Sequence, residues 1–299
     1  MLPRSNLTLR ISRDCKTFNS LFQHVRYAFF DRPKQRTEKS TFLWTTIVKF
    51  AKIGSLRHRG LQICFILALL VWRSDGKTNV DLVQELYHKG ILKSDVVIRT
   101  MKAIDRKNYC PRAKYPYDDV PQDIGYKATI SAPHMHAYAL ELLKDHLTNG
   151  ESALDIGSGS GYITVCMAVM LGEQGLAIGV EHIPELVVES TNNIQKHQPW
   201  LLTTGRVKII NADGRLGYNK HAPYNAIHIG ATIPDIPQKI LDQLKPGGRL
   251  VAPIGSGTDQ YLTVVDRTPA GRIKTKRLMG VMFVPLTDKN DQLGSVNTW

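Results

Sequence analysis

Alternate glycines follow an acidic residue at the end of a predicted strand, and this turn could hold a ligand. Residues 154–161 read LDIGSGSG, so Asp155 comes just before Gly157, Gly159 and Gly161, and a helix is predicted to begin after them. Glycine lets the main chain and a ligand approach each other closely in such a strand-to-helix turn. A glycine-rich turn alone is a weak signal, because close packing of a helix against a strand also selects glycine.

Two further acids extend this pattern along the chain. Glu181 ends the next predicted strand, where a carboxylate can accept hydrogen bonds from both hydroxyls of a ribose. Asp213 follows the third strand, where it can accept from an adenine amine. Each acid alone is more often a helix cap or a loop residue. Three acids at the ends of successive strands, however, lie at the edge where open α/β sheets bind ligands.

The order of residues in the glycine turn favours S-adenosyl-L-methionine over NAD. The glycines are spaced G-x-G-x-G, with Asp155 separated from the first of them by one residue, whereas dinucleotide-binding turns read G-x-G-x-x-G. An acid at that position crowds a pyrophosphate but suits a cofactor that carries an amino group and a sulfonium. We therefore expect S-adenosyl-L-methionine as the cofactor and S-adenosyl-L-homocysteine as its product.

Four further segments match the motifs of one enzyme family. Residues 129–136 read TISAPHMH, and DGR at 213–215, LKPGGRL at 244–250 and VPLTD at 284–288 follow later in the chain. With these motifs the chain, from about Trp72 to its end, resembles the protein-L-isoaspartate (D-aspartate) O-methyltransferases. The resemblance implies a repair enzyme that methylates the free α-carboxyl of L-isoaspartyl and D-aspartyl residues in damaged proteins, leading through a succinimide to normal aspartate.

The same resemblance implies the site residues. Ser131 matches the residue treated as catalytic in the family. The residues implied to border the methyl donor are Ala128, Thr129, Ile130, Ser131, His136, Gly157, Ser160, Glu181, Asp213, Gly214, Thr287 and Gln292. Asp155 joins this set because of its place before the glycine turn. The chain departs from the family in its long basic leader, in Glu181 where many relatives carry Asp, and in residues 294–299.

No metal is expected in the site. His134 and His136 are two residues apart, so they face different ways at a helix start, and no cluster of Cys or carboxylates completes a metal site. We interpret His136 as a contact to the cofactor or the substrate. The four cysteines lie far apart without a C-x-x-C pair, which indicates neither a disulfide framework nor a zinc ribbon and favours a reducing compartment.

The implied reaction requires positioning more than proton transfer. An isoaspartyl linkage leaves the α-carboxyl free, and α-carboxyls are ionised at neutral pH because they titrate near ~3.5. No strong general base is therefore needed. Holding a carboxylate oxygen in line with the methyl group and sulfur can lower the barrier by roughly 7–11 kcal/mol, and the Ser131 hydroxyl can orient that carboxylate.

Strands that alternate with helices must position these residues. The patterns predict an α/β fold with a Rossmann-like, doubly wound and mostly parallel sheet of the methyltransferase type, an antiparallel C-terminal strand pair and N-terminal helices. The predicted strands cover residues 152–156, 176–181, 207–211, 226–229 and 250–253, with 261–265 and 278–284 as the closing pair. The predicted helices cover residues 133–147, 161–171, 184–197 and 234–244, with two short ones capped by Asn79 or Asp81 and by Ser94.

The net charge of +13 belongs mainly to the start of the chain. Residues 1–73 hold 14 Lys and Arg against three acids, so residues 74–299 are nearly neutral. We expect residues 1–73 to be a basic, poorly structured leader and 74–299 to be the methyltransferase domain. The apolar run 61–72 is shorter than the ~20 residues that a membrane span needs. We expect a cytoplasmic protein, or a mitochondrial one if the Arg- and Ser-rich leader is a transit peptide.

Two other functions fit the sequence less well than repair methylation. The strand ending at Ile229 runs into Gly-Ala-Thr rather than an Asn/Asp-Pro-Pro-aromatic loop, and no Pro-Cys nucleophile is present, so an RNA or DNA methyltransferase is disfavoured. Retention of Ser131 with all three acids disfavours a catalytically silent adaptor. The expected partners are age-damaged proteins and peptides containing isoaspartate, with no nucleic acid and no integral membrane association, and we expect a monomer.

Overall fold

The structure is a computed structural model that describes residues 78–294. The predicted leader, its boundary at residue 73, the apolar run 61–72 and residues 295–299 lie outside the described residues. Within the described range, no helix combines the length and apolar character needed to cross a membrane.

Helices and strands alternate through most of the described chain. The helices are α1 (Asn79–His88), α2 (Asp95–Ala103), α3 (Pro133–Leu143), α4 (Tyr162–Met170), α5 (Pro184–His197), α6 (Pro199–Thr203), α7 (Gln238–Asp242) and α8 (Lys289–Gly294). The strands are β1 (Gln122–Gly125), β2 (Ala128–Ile130), β3 (Ser152–Ile156), β4 (Leu176–Glu181), β5 (Val207–Asn211), β6 (Tyr224–Ile229), β7 (Leu244–Ser256), β8 (Asp259–Arg267) and β9 (Ile273–Val281).

Seven of these strands form one sheet in the order β5-β4-β3-β6-β7-β8-β9. The pairs from β5 to β7 are parallel, whereas β8 pairs antiparallel with both β7 and β9. The predicted fold class, a mostly parallel sheet with an antiparallel C-terminal pair, is confirmed. Parallel strands end at the same edge, so the residues that follow β3, β4, β5 and β6 meet there.

Apolar side chains cover both faces of this sheet. Leu154 and Ile156 of β3 point into one apolar cluster with Ile178 and Val180 of β4. Ala153, one residue out of phase, points into the other cluster, which also holds side chains of α1 to α4. Since side chains alternate along a strand, Asp155 faces the same side as Ala153, toward α3 and α4.

A small hairpin that the sequence patterns did not predict lies before α3. β1 and β2 pair antiparallel, and Gln122 faces Ile130 across the pair. The turn between them places Tyr126 and Lys127 at φ +56°, a left-handed conformation that costs energy for residues with a side chain. The hairpin delivers residues 128–131 to the start of α3, where Pro133 stands in the first turn.

Several predicted bounds were wrong near residue 245. The turn expected at residues 245–248 lies inside β7, because the pairing with β6 skips from Leu244 to Arg249 and the residues between form a bulge. α7 is shorter than the predicted helix over 234–244, since residue 244 already belongs to the strand.

The ends of other elements also differ from the predictions. α3 stops at Leu143 and is followed by a 3₁₀ turn. α1 is capped by Thr78, whose hydroxyl accepts from the main-chain N–H of Asp81, rather than by Asn79 or Asp81. Ser94 holds the N-cap position of α2 but makes no capping hydrogen bond.

β9 forms an edge of the sheet and differs from the predicted strand over residues 278–284. Lys274, Lys276 and Arg277 on it are exposed. Exposed and charged residues give an edge strand little apolar periodicity, so its first half carried no strand signal.

Candidate active site

The three acids that follow successive strands lie at one edge of the sheet. Asp155 is in β3, Glu181 is the last residue of β4, and Asp213 comes two residues after β5. β4 lies between β3 and β5 and is parallel to both, with Ile156 opposite Val180 and Glu181 opposite Asn211. The predicted edge therefore brings the three residues into one region.

Glu181 holds the glycine turn in place through hydrogen bonds to the main chain. The residue is 6% exposed, and its Oε2 accepts a hydrogen bond from the main-chain N–H of Gly159 at 3.1 Å. Its Oε1 accepts from the main-chain N–H of Ile183 at 3.0 Å. The carboxylate thus joins the end of β4 to the turn after β3.

The glycines of that turn serve different purposes. A Cβ at Gly159 would lie 3.1 Å from Ile124, and one at Gly161 would lie 3.3 Å from Ser190, so close packing accounts for both. Gly157 has φ +74°, and a Cβ there would have no atom within 4 Å. The main chain at Gly157 is therefore open to a ligand.

Asp155 lies beneath the turn and is fully buried. Its Oδ2 accepts from the hydroxyl of Thr164, and its Oδ1 accepts from Nδ1 of His228 at 2.8 Å. His228 lies opposite Asp155 in the parallel pair of β3 and β6. Both carboxylate oxygens thus have protein partners, and a direct contact from Asp155 to the cofactor stays a prediction.

Asp213 is held by an arginine that the sequence motif already contains. Its carboxylate accepts from Nε of Arg215 at 3.0 Å and from Nη2 at 2.8 Å. These hydrogen bonds lower the pKa of Asp213 below its usual value. Nη1 of Arg215 also lies 3.8 Å from Asp288, so the pair connects the edge after β5 to the C-terminal segment.

Two small residues pack tightly around this edge. Gly214 is buried, and a Cβ on it would lie 2.6 Å from the Ile156 side chain. Ser160 is also buried, and its carbonyl accepts from the side-chain amide of Asn193 at 3.3 Å. Contacts of Ser160 and Gly214 to a methyl donor stay predictions.

Ser131 and His136 line one small cleft with His228. The other lining residues are apolar and include Met135, Ile229 and Phe283. Ser131 lies between β2 and α3, and His136 lies in the first turn of α3. His228 also pairs with Asp155, so one side chain both lines the cleft and contacts the strand that leads into the glycine turn.

The residues just before Ser131 differ in exposure. Ala128 is half-buried and Thr129 is exposed, whereas Ile130 packs into the apolar core. Contacts of all three to a methyl donor stay predictions.

Arg106 is the site residue that sequence reasoning missed. Its side chain is 1% exposed and lies under α3, where Nη1 donates to Nδ1 of His136 at 3.3 Å. Burial, and then the charge of Arg106, lower the pKa of His136 well below its usual value. A lone arginine 30 residues away offers no sequence signal for this contact.

The C-terminal helix reaches the same region through Gln292. Its Nε2 donates to the carbonyl of Tyr126 at 2.8 Å, and its Oε1 accepts from Nε2 of His182 at 2.8 Å. Gln292 thereby ties the β1–β2 turn to the residue after Glu181. Thr287 begins this closing segment, where its hydroxyl donates to Asp291 at 3.4 Å.

The arrangement fits a nucleoside cofactor next to an anionic group. The open main chain at Gly157 and the acceptors of Glu181 suit the cofactor, while the hydroxyl of Ser131 and the imidazole of His136 offer donors to an anion. Among residues 78–294 no three His, Cys, Asp or Glu side chains are grouped to hold a metal ion. The described cysteines, Cys110 and Cys166, are buried free thiols.

Comparisons with known proteins point to one family. A family model described as protein-L-isoaspartate(D-aspartate) O-methyltransferase matches residues 77–291. The protein-L-isoaspartate O-methyltransferase of Caenorhabditis elegans is 46% identical over 224 residues, covering 75% of this chain and 98% of the relative. That of Triticum aestivum is 49% identical over 216 residues, covering 72% of this chain and 94% of the relative.

A solved structure agrees with the sequence comparisons. It is a Plasmodium falciparum protein named as a protein-L-isoaspartate O-methyltransferase, in complex with S-adenosyl-L-homocysteine. It is 35% identical and superposes with a TM-score of 0.66, covering 71% of this chain and 99% of the other.

Proposed function

Because this chain belongs to the protein-L-isoaspartate(D-aspartate) O-methyltransferase family, we propose that the edge around Gly157 and the cleft at Ser131 form its active site. The chain is a protein repair enzyme that depends on S-adenosyl-L-methionine. It methylates the free α-carboxyl of L-isoaspartyl and D-aspartyl residues in damaged proteins. The observation that carries the site assignment is that Ser131 and His136 share a cleft with His228, which holds Asp155 beneath the glycine turn.

The proposed cofactor side runs along the sheet edge from Gly157 to Gln292. The free space over Gly157 supports a close approach of the cofactor, and the carboxylate of Glu181 supports recognition of ribose hydroxyls. Asp213 and Gly214 follow at the end of β5, and Gln292 closes the edge from the C-terminal side. When bound, S-adenosyl-L-methionine supplies an electrophilic methyl group.

The proposed substrate side is the cleft at Ser131. An isoaspartyl α-carboxylate is already ionised at neutral pH, so the protein has no proton to remove from it. Ser131 donates a hydrogen bond to one carboxylate oxygen and leaves the other free to attack. His136 does not act as a base here, because burial and Arg106 keep its pKa low and its Nδ1 already accepts from Arg106.

The chemistry after methyl transfer needs no further catalyst. The methyl ester is a better electrophile than the carboxylate, so the neighbouring main-chain nitrogen attacks its carbonyl carbon, releases methanol and closes a succinimide. Water then opens the succinimide in part to normal aspartate. Repair therefore follows from the single step that the enzyme performs.

The oligomeric state, the partners and the location of the chain are also part of the proposal. The chain acts on isoaspartyl-containing proteins, and we propose that it does so as a monomer, without binding nucleic acid and without integral membrane association. The positive charge of the chain is concentrated in residues 1–73, so it gives no reason to assign nucleic-acid binding to residues 74–299. We propose a cytoplasmic location, with mitochondria as the alternative.

Two peptides that differ only in the linkage test this function. Methyl transfer from S-adenosyl-L-methionine is expected for the isoaspartyl peptide and not for its normal aspartyl twin. Equal rates on both peptides would overturn the repair assignment.

Substitution of the proposed catalytic serine tests the site. S131A is expected to lower kcat while cofactor affinity is retained, because the hydroxyl contacts the substrate carboxylate. S256A removes an exposed hydroxyl at the end of β7 and should leave both values unchanged. An S131A protein with wild-type kcat would remove Ser131 from the mechanism.

A further inference from the structure

A buried cation without a carboxylate partner lies behind the substrate cleft. Arg106 is 1% exposed, and within residues 78–294 no carboxylate forms an ion pair with it. Burial lowers the pKa of Arg106, and the charge of Asp119 opposes this without a hydrogen bond between the two side chains. Oδ1 of Asp119 accepts from the main-chain N–H and Nδ1 of His134, and its Oδ2 is buried without a hydrogen-bond partner in the described structure. Buried charges are normally paired because desolvation is costly, so this arginine calls for an explanation.

The contacts of Arg106 account for only part of its guanidinium. Nε donates to the carbonyl of Pro116 at 3.0 Å, and Nη1 donates to Nδ1 of His136 at 3.3 Å. Nη2 is buried and has no hydrogen-bond partner in the described structure. A neutral side chain could hold the Pro116 carbonyl, so that contact alone does not require a charged arginine.

The contact with His136 does depend on the kind of donor. A guanidinium stays protonated and has no acceptor, so Nδ1 of His136 must be the acceptor in this pair. A neutral imidazole carries one proton, which must then be on Nε2. No described residue hydrogen-bonds to that nitrogen, and the ring lines the cleft that contains Ser131.

We infer that Arg106 is a positioning residue that fixes His136 as the neutral, Nε2-protonated tautomer, so that His136 and Ser131 together present two donors to a carboxylate. A carboxylate only accepts hydrogen bonds when ionised, and therefore suits this pair. The buried charge of Arg106 also favours an anion in the cleft. The inference rests on the proposed function, and the carboxylate is that of either the substrate or the methionine part of the cofactor.

The groups around His136 agree on its protonation state. Arg106 faces it from the 3₁₀ turn 106–109, His228 from β6 and His134 from its own helix, and each lowers its pKa. Tyr162 of α4 packs against its ring, with the ring centroids 4.9 Å apart. None of these groups is an acid that would favour the imidazolium.

Nitrogen NMR of the full chain labelled with ¹⁵N-histidine tests the tautomer directly. The His136 signals, assigned by their absence in H136Q, should show a protonated Nε2 and an unprotonated Nδ1 at pH 7. A protonated Nδ1, in either the other tautomer or the cation, would overturn the inference. The measurement needs no substrate, so it stands even if methyl transfer to isoaspartyl peptides fails and the proposed function falls.

Two substitutions of Arg106 separate positioning from simple packing. Both R106K and R106Q remove the guanidinium, but an ammonium can only donate, whereas an amide can donate or accept. R106K should keep the Nε2-protonated tautomer. R106Q should give a mixture of tautomers, and kcat/KM for the isoaspartyl peptide should fall roughly tenfold further than in R106K, which corresponds to 1.36 kcal/mol.

The titration of His136 and the kinetic constants complete the test. In R106Q the pKa of His136, followed through the same nitrogen signals, should rise toward ~6.5, the value of a free imidazole, while R106K keeps the positive charge and the wild-type titration. A higher KM for the peptide would assign the carboxylate to the substrate, and a higher Kd for S-adenosyl-L-methionine would assign it to the cofactor. Identical tautomers and titrations in R106K and R106Q would overturn the positioning role.

Discussion

Nδ1 of His228 lies 2.8 Å from Oδ1 of Asp155, and the two residues face each other across the parallel strands β3 and β6. Since the other oxygen of Asp155 accepts from Thr164, this carboxylate joins β3, β6 and α4 just below the glycine turn. The acid that looked most like a ligand from its motif is thus also part of the frame that shapes the turn.

Removing that carboxylate should affect stability as well as cofactor binding. D155A leaves His228 and Thr164 without their partner, and each orphaned polar group costs about 1–3 kcal/mol. The free energy of unfolding, measured by urea denaturation without cofactor, should fall by an amount in this range or more. T164V removes only one of the two contacts and should cost less. A D155A protein with unchanged stability would contradict the structural role of this residue.

Glu181 should be required for tight cofactor binding. E181A loses the carboxylate that holds Gly159 and Ile183. Hydrogen bonds to a charged group contribute about 1.5–3 kcal/mol, so cofactor affinity should fall about 10- to 100-fold. Calorimetric titration with S-adenosyl-L-homocysteine measures the change. E185A, which removes an exposed carboxylate from α5, is the matched control and should bind normally.

Gln292 should slow the release of the cofactor. Q292A loses the hydrogen bonds that tie α8 to Tyr126 and His182. The loss of two neutral hydrogen bonds, each contributing about 0.5–1.5 kcal/mol, would raise the dissociation rate of S-adenosyl-L-homocysteine by about 5- to 100-fold. Stopped-flow displacement gives this rate, and N290A removes an exposed amide from the same helix as the control. Equal rates in Q292A and N290A would mean that α8 does not close the site.

His136 should make the protein less stable at acidic pH. Its pKa is lowered in the folded state, so below the unfolded pKa of about 6.5 the unfolded chain binds a proton that the folded chain does not. Stability is therefore unaffected above this pH and falls below it, by at most about 1.4 kcal/mol per pH unit. Urea denaturation of H136Q from pH 7.5 to 5 should show a shallower loss than the wild type. Parallel curves for the two proteins would show that His136 is not buried in its neutral form.

The domain should work without the leader. A chain beginning at Ser74 retains the sheet, the glycine turn and residues 128–136, so its turnover on a short isoaspartyl peptide should equal that of the full chain. We expect it to lose any salt-dependent adhesion to acidic surfaces that arises from the basic residues of 1–73, an interaction screened over about 10 Å at 0.1 M salt. An insoluble or inactive truncated protein would show that part of 61–72 is needed by the domain.

Local sequence patterns were enough to predict the strands at the centre of the sheet. The strands 152–156, 176–181 and 207–211 and the helix 184–197 have their predicted bounds, because buried parallel strands are short apolar runs and the helix begins with a proline. These signals are contained in each segment. They also placed the acids at the correct edge, since the order of parallel strands fixes where each one ends.

The features that were missed depend on contacts between distant residues. The Asp155–His228 pair spans 73 residues, and it follows from the register of β3 against β6 rather than from any motif. Arg106 has no pattern of its own, and its importance comes from burial against α3. The β1–β2 hairpin was missed because its turn uses Tyr126 and Lys127 instead of the usual Gly or Asn.

The basic residues along β9 affect how unfolded segments of substrate proteins can pair with the enzyme. Damaged proteins that need repair are prone to unfold locally, and an unfolded segment can add as a strand to any open sheet edge. Lys274, Lys276 and Arg277 make that edge charged and solvent-exposed, which opposes such pairing. We therefore expect this edge to resist co-aggregation with the substrate proteins that the enzyme must handle.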